Sequence, residues 1–433
     1  MEVAGEMPLR QPAAARGRWL VLALVLAVFL VDGMDTQMIA VAVPALAREW
    51  HLSASAFALA LALGHAGAAA GGTMGGVLGD RIGARGAVIA CAILFGVLSL
   101  CMTVVHDLRL LELLRLVCGL GLGGAIAPAL AMLTNFFSAQ RRGLVISLAF
   151  LCSPFGISAA GLLAAYVMPV HGWRALFVIA GVTPLALAAL LPLLIPAASA
   201  GDATRGGAGP GAGMSQRLAR WWQSMNAPGS SVGPAAPIGL FIGIVFIYAT
   251  MSLVLSWLPS LLTAHGMAMH DAGIAISVWS ASGIVGVPTA GWAAGRWGAR
   301  RVATVAAVSS IVCAAIIALG VSAQAGAPVA GVGFYAPLAV TGAMTNALII
   351  LMYALGAELF PAEVRSTGLG LASTSGRSGS IVMTYIGGRI MELISVPAFF
   401  AITAGLLLMA CLGFNLGRFR RVKARIPPEA LHS

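Results

Sequence analysis

The segment Gly76-Val-Leu-Gly-Asp80-Arg81-Ile-Gly83-Ala-Arg85 occurs a second time in the chain, as Gly291-Trp-Ala-Ala-Gly-Arg-Trp-Gly-Ala-Arg300. The two copies share two glycines, two arginines and an alanine, and each follows the second apolar segment of its half of the chain. A weaker echo pairs Phe137-Ser-Ala-Gln-Arg-Arg142 with Phe360-Pro-Ala-Glu-Val-Arg365, each after a fourth apolar segment. This recurrence predicts two related halves that form a parallel repeat.

The composition predicts that most of the chain lies in a lipid bilayer. Of its 433 residues, 60% are hydrophobic and 9% are charged, whereas about 25% of the residues of a soluble domain are charged. Stretches of about 20 apolar residues are long enough to cross the membrane as helices. The sequence therefore predicts an all-α polytopic membrane protein with twelve transmembrane helices in two six-helix bundles, beginning near Trp19, Phe57, Ala87, Leu111, Gly143, Ala175, Ile238, Ala272, Val302, Val329, Thr367 and Val396.

The distribution of arginine predicts the orientation of these helices. The net charge is +11, but the positive residues lie in short loops rather than in one patch, which argues against a nucleic-acid partner. With the N-terminus inside, the inner loops carry eleven arginines and the outer connections carry four: Arg48, Arg109, Arg174 and Arg389. The positive-inside rule then places both termini in the cytoplasm. The first apolar segment lacks a small-residue cleavage site, so we expect it to be retained as a helix.

The same pattern predicts the domain organisation. We expect a cytoplasmic N-terminal tail at 1–18 and a first six-helix bundle at 19–196. Residues 197–237 are rich in Gly, Ala, Ser and Pro, which is typical of a flexible linker. A second bundle at 238–417 and a basic cytoplasmic tail at 418–433 complete the chain.

Two acids stand near the middle of the first predicted helix. Asp32 and Asp35 are three residues apart and so share one helix face. A carboxylate at mid-membrane costs about 2.5 to 3.5 kcal/mol on insertion scales, and intramembrane ionisable groups mark ion or substrate pathways. We therefore predict that Asp32 and Asp35 face a polar cavity and carry the coupling proton. The alternative is that one of them only ties helices together.

Two arginines are predicted at membrane depth. Arg377 lies in the eleventh segment, with Ser373 one turn away in a stripe of serine and threonine. Its planar guanidinium matches a carboxylate bidentately, which predicts a substrate anchor; pairing with an aspartate of the other bundle is the equally weighted alternative. Arg115 lies in the fourth segment, and we expect it to tune the protonation of the first-helix acids rather than to contact substrate directly.

The charges of these four side chains suggest a coupling rule. Two aspartates and two arginines sum to zero when both acids are ionised and to +1 when one acid is protonated. A bound carboxylate substrate restores neutrality. A cavity without net charge has the lowest desolvation cost when water is excluded from it during transport. The hypothesis is that proton and anion travel together.

Other chemistry receives little support from the sequence. His65 is the single histidine inside a predicted helix, and it either titrates or is simply hydrogen-bonded. The six cysteines fall in apolar segments, and no metal-ligand spacing, nucleophile motif or phosphate-binding loop is evident. We therefore expect no enzyme, no metal and no cofactor besides the proton gradient, and a monomer whose partners are a small organic acid, protons and lipid.

The segment from Gly76 to Arg85 resembles the cytoplasmic loop signature of the major facilitator superfamily, and the resemblance extends over all twelve predicted helices. It implies that the segment forms a cytoplasmic gate, with Gly76, Asp80, Arg81, Gly83 and Arg85 as gate residues. Paired charges at such a gate would separate between two states. Gly295 stands in the second copy where the first has Asp80, so we expect the gate to be asymmetric.

Within that superfamily, Asp32-Gly-Met-Asp35 is similar to the Asp-Gly-x-Asp pattern of the aromatic acid:proton symporter family, as are Ser256-Trp-Leu-Pro259 and Arg377. The resemblance implies uptake of benzoate-like or hydroxybenzoate-like acids across a bacterial inner membrane, with both acids required. The predicted substrate-binding set is Arg377, Ser373 and Trp257, together with Arg115 in its helper role. Several rings could stack on such a substrate, although packing is the default role of each: Tyr248, Trp257, Trp279, Tyr353 and Tyr385.

A proton-coupled exporter on the same fold is the main rival, since fold alone does not fix function. Antiporters of the superfamily usually carry Gly-Pro-x-x-Gly-Gly in the fifth helix. The segment Ser153-Pro-Phe-Gly-Ile-Ser-Ala-Ala-Gly161 lacks that pattern, which favours uptake.

Overall fold

The structure, a computed structural model, describes residues 13–137, 139–194, 235–323, 331–360 and 365–416. Twelve helices of 18 residues or more occur in these ranges: α1 Ala13–Glu49, α2 Ala58–Ile82, α3 Ala84–Cys101, α4 Leu108–Phe136, α5 Ala139–Tyr166, α6 Arg174–Leu194, α7 Ala235–Ala264, α8 Met269–Trp297, α9 Ala299–Ala323, α10 Val332–Leu359, α11 Arg365–Leu393 and α12 Val396–Asn415.

The helices begin close to the positions expected from the sequence. The largest difference is at α1, which begins at Ala13 rather than near Trp19, so the helix continues into the stretch expected to be a tail. Residue 235, expected in the linker, begins α7. The rest of the linker at 197–234 and the tails at 1–12 and 417–433 lie outside the described residues.

Eleven of the described helices are long and apolar enough to cross a membrane. The exception is α11, whose sequence Ser373-Thr-Ser-Gly-Arg-Ser-Gly-Ser380 interrupts its apolar character. Serine, threonine and arginine at this depth are tolerated where they face protein or a water-filled cavity. The composition of α11 thus marks the helix that supplies polar groups to the interior.

Glycines set the close approach of α2 and α4. A Cβ atom at Gly67, Gly71 or Gly75 would collide with backbone of α4, and one at Gly123 would collide with the backbone of Ala68 in α2. Small residues at such spacing allow helix backbones to touch in a membrane, where packing drives association. This contact fixes the position of Arg115 on α4 relative to α2.

The two halves share one hydrophobic core at one end of the molecule. This cluster includes Leu46 and Phe57 of the first half and Leu261 and Phe399 of the second. At the other end the buried residues form two clusters, each confined to one half. We call these the closed end and the split end.

Hydrogen bonds join the halves near the closed end. The Gln37 side-chain amide donates to the Leu255 carbonyl at 2.8 Å. Ser158 and Ser277 exchange bonds: each hydroxyl donates to the other residue's carbonyl, at 3.3 and 2.9 Å. A Cβ atom at Gly161 would collide with the Ser277 hydroxyl, so the glycine permits this α5–α8 contact.

The first copy of the repeated segment lies at the split end, where it forms the end of α2 and the start of α3. Gly83 separates these helices with a φ of 80°, a conformation that favours glycine. Asp80 and Arg81 are exposed, and neither is in an ion pair among the described residues. The Arg85 Nε atom is buried and has no hydrogen-bond acceptor in the described part of the chain. Pairing of the gate charges in another state remains a prediction.

Candidate functional site

A cavity of about 280 Å³ lies between the two halves. The described chain brings Asp32, Asp35, His65, Arg115 and Arg377 together in its lining. The other polar residues of the lining come mostly from α1, α7 and α11: Thr36, Gln37, Ser153, Tyr248, Ser252, Ser256 and Ser380.

Asp35 is held by two neighbours within the first half. Its carboxylate is 1% exposed; one oxygen lies 3.4 Å from Nη1 of Arg115, and the other accepts a bond from the Ser99 hydroxyl at 3.2 Å. Gly64 leaves room for the guanidinium, since a Cβ atom there would lie 3.1 Å from Nη2 of Arg115. Asp35 therefore ties α1 to α3 and α4.

Asp32 lies one turn away on α1 and has a different environment. It is half-buried, lines the cavity and makes no hydrogen bond with any described residue. Its electrostatic neighbours are Arg377 on α11 and Asp35 on its own helix. Of the two acids, Asp32 is thus the one whose carboxylate has no hydrogen-bond partner among the described residues.

Arg377 extends from α11 into the cavity with its own side chain half-buried. It forms no hydrogen bond or ion pair among the described residues. The adjacent Gly376 lies under the ring of Tyr248, because a Cβ atom there would be 2.7 Å from Cδ2 of that ring. The Tyr248 hydroxyl lies 3.1 Å from that of Tyr353. An aromatic wall therefore stands beside the free guanidinium.

The cavity has the size and lining for a one-ring acid. An apolar cavity of about 150 Å³ can hold benzene, so 280 Å³ leaves room for polar substituents. Its walls include the rings of Phe29, Phe150 and Tyr248. Phe29 and Phe150 were not singled out by sequence reasoning, because phenylalanine in an apolar helix gives no signal that separates a cavity wall from packing.

Two residues expected to bind substrate lie elsewhere. Ser373 is half-buried, one turn from Arg377, but is not part of the cavity lining. Trp257 is fully buried, and its indole N–H donates to the Thr384 carbonyl at 2.9 Å. A Cβ atom at Gly387 or Gly388 would collide with the same indole. Trp257 thus packs α7 against α11 and is not part of the cavity lining, where a substrate-binding residue was expected.

Replacing Trp257 by phenylalanine is expected to lower stability and to leave the KM for substrate nearly unchanged. The change removes one buried hydrogen bond and part of a packed ring, a loss of about 1 to 3 kcal/mol. Thermal unfolding of the purified variant and kinetic measurements with substrate test the two effects separately. A large rise in KM at wild-type stability would instead place Trp257 against the substrate.

Two of the aromatic residues expected to stack on a substrate lie away from the cavity. Trp279 is buried outside the cavity, and Tyr385 is exposed. No group of three metal-binding side chains converges in the described ranges. His65 lines the cavity, so the alternatives of titration and simple hydrogen bonding both stay open.

A polar cavity between two repeated bundles of apolar helices is the arrangement of a membrane transport protein. The family profile of the Major Facilitator Superfamily matches residues 25–236 and 240–431. The chain belongs to this superfamily and is a multi-pass membrane transporter rather than an enzyme.

Similar proteins agree with this assignment. The chain is 28% identical to a gallate transporter of Pseudomonas putida, over 96% of this chain and 94% of that protein. It is 26% identical to a 4-hydroxybenzoate transporter of the same organism, over 89% of each chain. These matches confirm the resemblance to the aromatic acid:proton symporter family. The crystal structure of a D-xylose-proton symporter superposes with a TM-score of 0.72 at 15% identity, covering 92% of this chain and 97% of that one, which supports the fold.

Proposed function

We propose that the protein imports small aromatic carboxylates, of the benzoate and hydroxybenzoate class, together with protons. The observation that carries this proposal is the Arg377 guanidinium, free of protein partners among the described residues and set beside the Tyr248 ring in a cavity of one-ring size. Relatives named for gallate and 4-hydroxybenzoate transport support the substrate class.

The geometry favours different roles for Asp32 and Asp35. Asp35 is already neutralised by Arg115 and bonded by Ser99, so the pair travels with the first half as a unit. Asp32 faces Arg377 across the cavity. When Asp32 takes a proton, Arg377 loses its compensating charge, and a substrate carboxylate replaces it. The occupied cavity is then neutral, which lowers the cost of excluding water from it.

This arrangement refines the four-charge coupling rule. Two of the four charges cancel inside the first half, and only Asp32 and Arg377 change partners during a cycle. One proton and one carboxylate therefore enter together. Because Asp32 belongs to the first half and Arg377 to the second, the exchange of partners takes place where the halves meet.

The orientation follows from the charge distribution. We place the split end at the cytoplasm, since the arginine-rich helix ends at the α2–α3 and α8–α9 junctions lie there. All twelve helices then span the bilayer, and both termini are cytoplasmic. The Gly76–Arg85 segment acts as the cytoplasmic gate of a monomer in a bacterial inner membrane.

Uptake of labelled 4-hydroxybenzoate by proteoliposomes tests the proposal. With an acidic outside and the protein as its only transporter, the vesicle interior should accumulate the label, about tenfold for each pH unit of gradient in an electroneutral one-proton symport. A protonophore should abolish accumulation, and an aliphatic acid of similar size should compete poorly. Label expelled against its gradient under the same conditions would instead identify an exporter.

A further inference from the structure

The second copy of the repeated segment carries more positive charge and more aromatic side chains than the first. Over 76–86 the first copy carries two arginines and one aspartate, whereas over 291–301 the second carries three arginines and no acid. Four of the six differences at aligned positions produce this change: Val77 to Trp292, Asp80 to Gly295, Ile82 to Trp297 and Gly86 to Arg301.

Both new tryptophans are exposed. Trp292 is 64% and Trp297 is 53% exposed, and their rings meet edge to face with centroids 5.6 Å apart. Two large rings that pack on each other while remaining open to the surroundings contribute little to the core. Their surface is available to a partner.

The positions of these residues correspond to the edge of the bilayer. Trp292 lies seven residues after Val285, an apolar residue of α8 that is 67% exposed. Arg301 lies one turn before Val305, which begins an exposed apolar stripe on α9 that continues through Val312. On both helices these exposed apolar residues are therefore followed, at the split end, by residue types that are enriched where a helix meets the lipid headgroups.

The arginines of the second copy have no acidic residue near them in the sequence. No aspartate or glutamate occurs between Asp271 and Glu358. Arg300 is directed inward and donates to the Asn415 carbonyl at 2.7 Å, which fixes the start of α9 against the end of α12. Arg296 and Arg301 are exposed on either side of it.

We propose that Trp292, Arg296, Trp297 and Arg301, here called the Trp–Arg cluster, bind the headgroup of an anionic phospholipid at the split end. The guanidinium groups donate to the lipid phosphate, and the indole rings lie at headgroup level against the upper acyl chain. Each arginine near a membrane surface contributes roughly a fivefold preference for an anionic lipid. The first copy, with Val77, Asp80 and Gly86, lacks the elements of such a site.

Quenching of tryptophan fluorescence by brominated lipid tests this binding. The full-length protein is reconstituted in phosphatidylcholine vesicles with a small fraction of brominated phosphatidylglycerol or, in parallel, brominated phosphatidylcholine. The signal of the cluster is the difference between wild type and the double variant Trp292→Val, Trp297→Ile, which restores the residues of the first copy. We expect the glycerol lipid to quench this component several-fold more than the choline lipid.

Arginine variants test whether the cluster is the source of the preference for the anionic lipid. The double variant Arg296→Gln, Arg301→Gly should lose the preference, whereas Arg81→Gln in the first copy should keep it. High salt should weaken the lipid preference of the cluster signal, and soluble glycerol phosphate should not compete. Equal quenching by the two lipids in wild type, or a preference that survives loss of both cluster arginines, would overturn the proposal.

Discussion

Replacing Arg377 by alanine is expected to abolish measurable binding of a hydroxybenzoate while leaving the protein folded. The side chain is half-buried and makes no ion pair in the described structure. Its removal therefore leaves no described hydrogen-bond acceptor without its donor. Loss of a buried charge-assisted contact to a ligand costs about 2 to 5 kcal/mol, or about 30-fold to several thousand-fold in affinity. Arg377→Lys keeps the charge but loses the planar fork, and its affinity should fall between the two.

Thermal-shift titration of the purified variants with 4-hydroxybenzoate measures this loss. A ligand at a hundredfold over its dissociation constant should stabilise the wild type by about 2.7 kcal/mol. Arg389→Gln is the matched control, because Arg389 lies three turns along the same helix and is exposed outside the cavity. Binding of wild-type strength by Arg377→Ala would remove the guanidinium from the substrate site.

Replacing Asp32 by asparagine is expected to uncouple transport from the proton gradient. The amide resembles the protonated acid in shape but cannot release a proton, so the variant should still bind and exchange substrate. Accumulation under a gradient of one pH unit should fall from about tenfold to about onefold. Proteoliposome uptake with and without internal unlabelled substrate separates accumulation from exchange.

Asp35→Asn provides the contrast for this test. Asp35 is bonded to Arg115 in a buried pair, and removing one partner of such a pair costs about 3 to 5 kcal/mol because the other charge stays buried. We therefore expect Asp35→Asn to lower thermal stability far more than Asp32→Asn. Proton-driven accumulation that survives in Asp32→Asn would show that another group carries the proton.

The sequence was sufficient to predict the architecture and most of the polar site. Apolar stretches of membrane length and the repeated Gly76–Arg85 segment locate the helices and divide them into halves, because both signals are local. Asp32, Asp35 and Arg377 were found for a different reason: a charge at membrane depth is costly enough to need a polar surrounding. The structure places all three on one cavity.

The partners of these residues were not predictable from the sequence. Ser99, which bonds Asp35 from α3, looks like any small residue in an apolar helix. The position of Trp257 outside the cavity lining was also not predictable, because a tryptophan near a polar helix can stack on a ligand or fill a contact between helices. Its hydrogen bond to the Thr384 carbonyl is seen only in the folded structure. Such choices depend on the rotation of one helix against another, which short motifs do not encode.

The shared core at the closed end sets a thermodynamic condition on the whole transport cycle. When that end opens, apolar side chains such as Phe57 and Leu261 lose partners, and the split end must cover a similar apolar area to offset the loss. At about 25 cal/mol per Å², a mismatch of only about 100 Å² would favour one state by about 2.5 kcal/mol, roughly 70-fold. Removing a single methyl group from the apolar contact at either end is therefore expected to shift the equilibrium between the two conformations of the empty transporter.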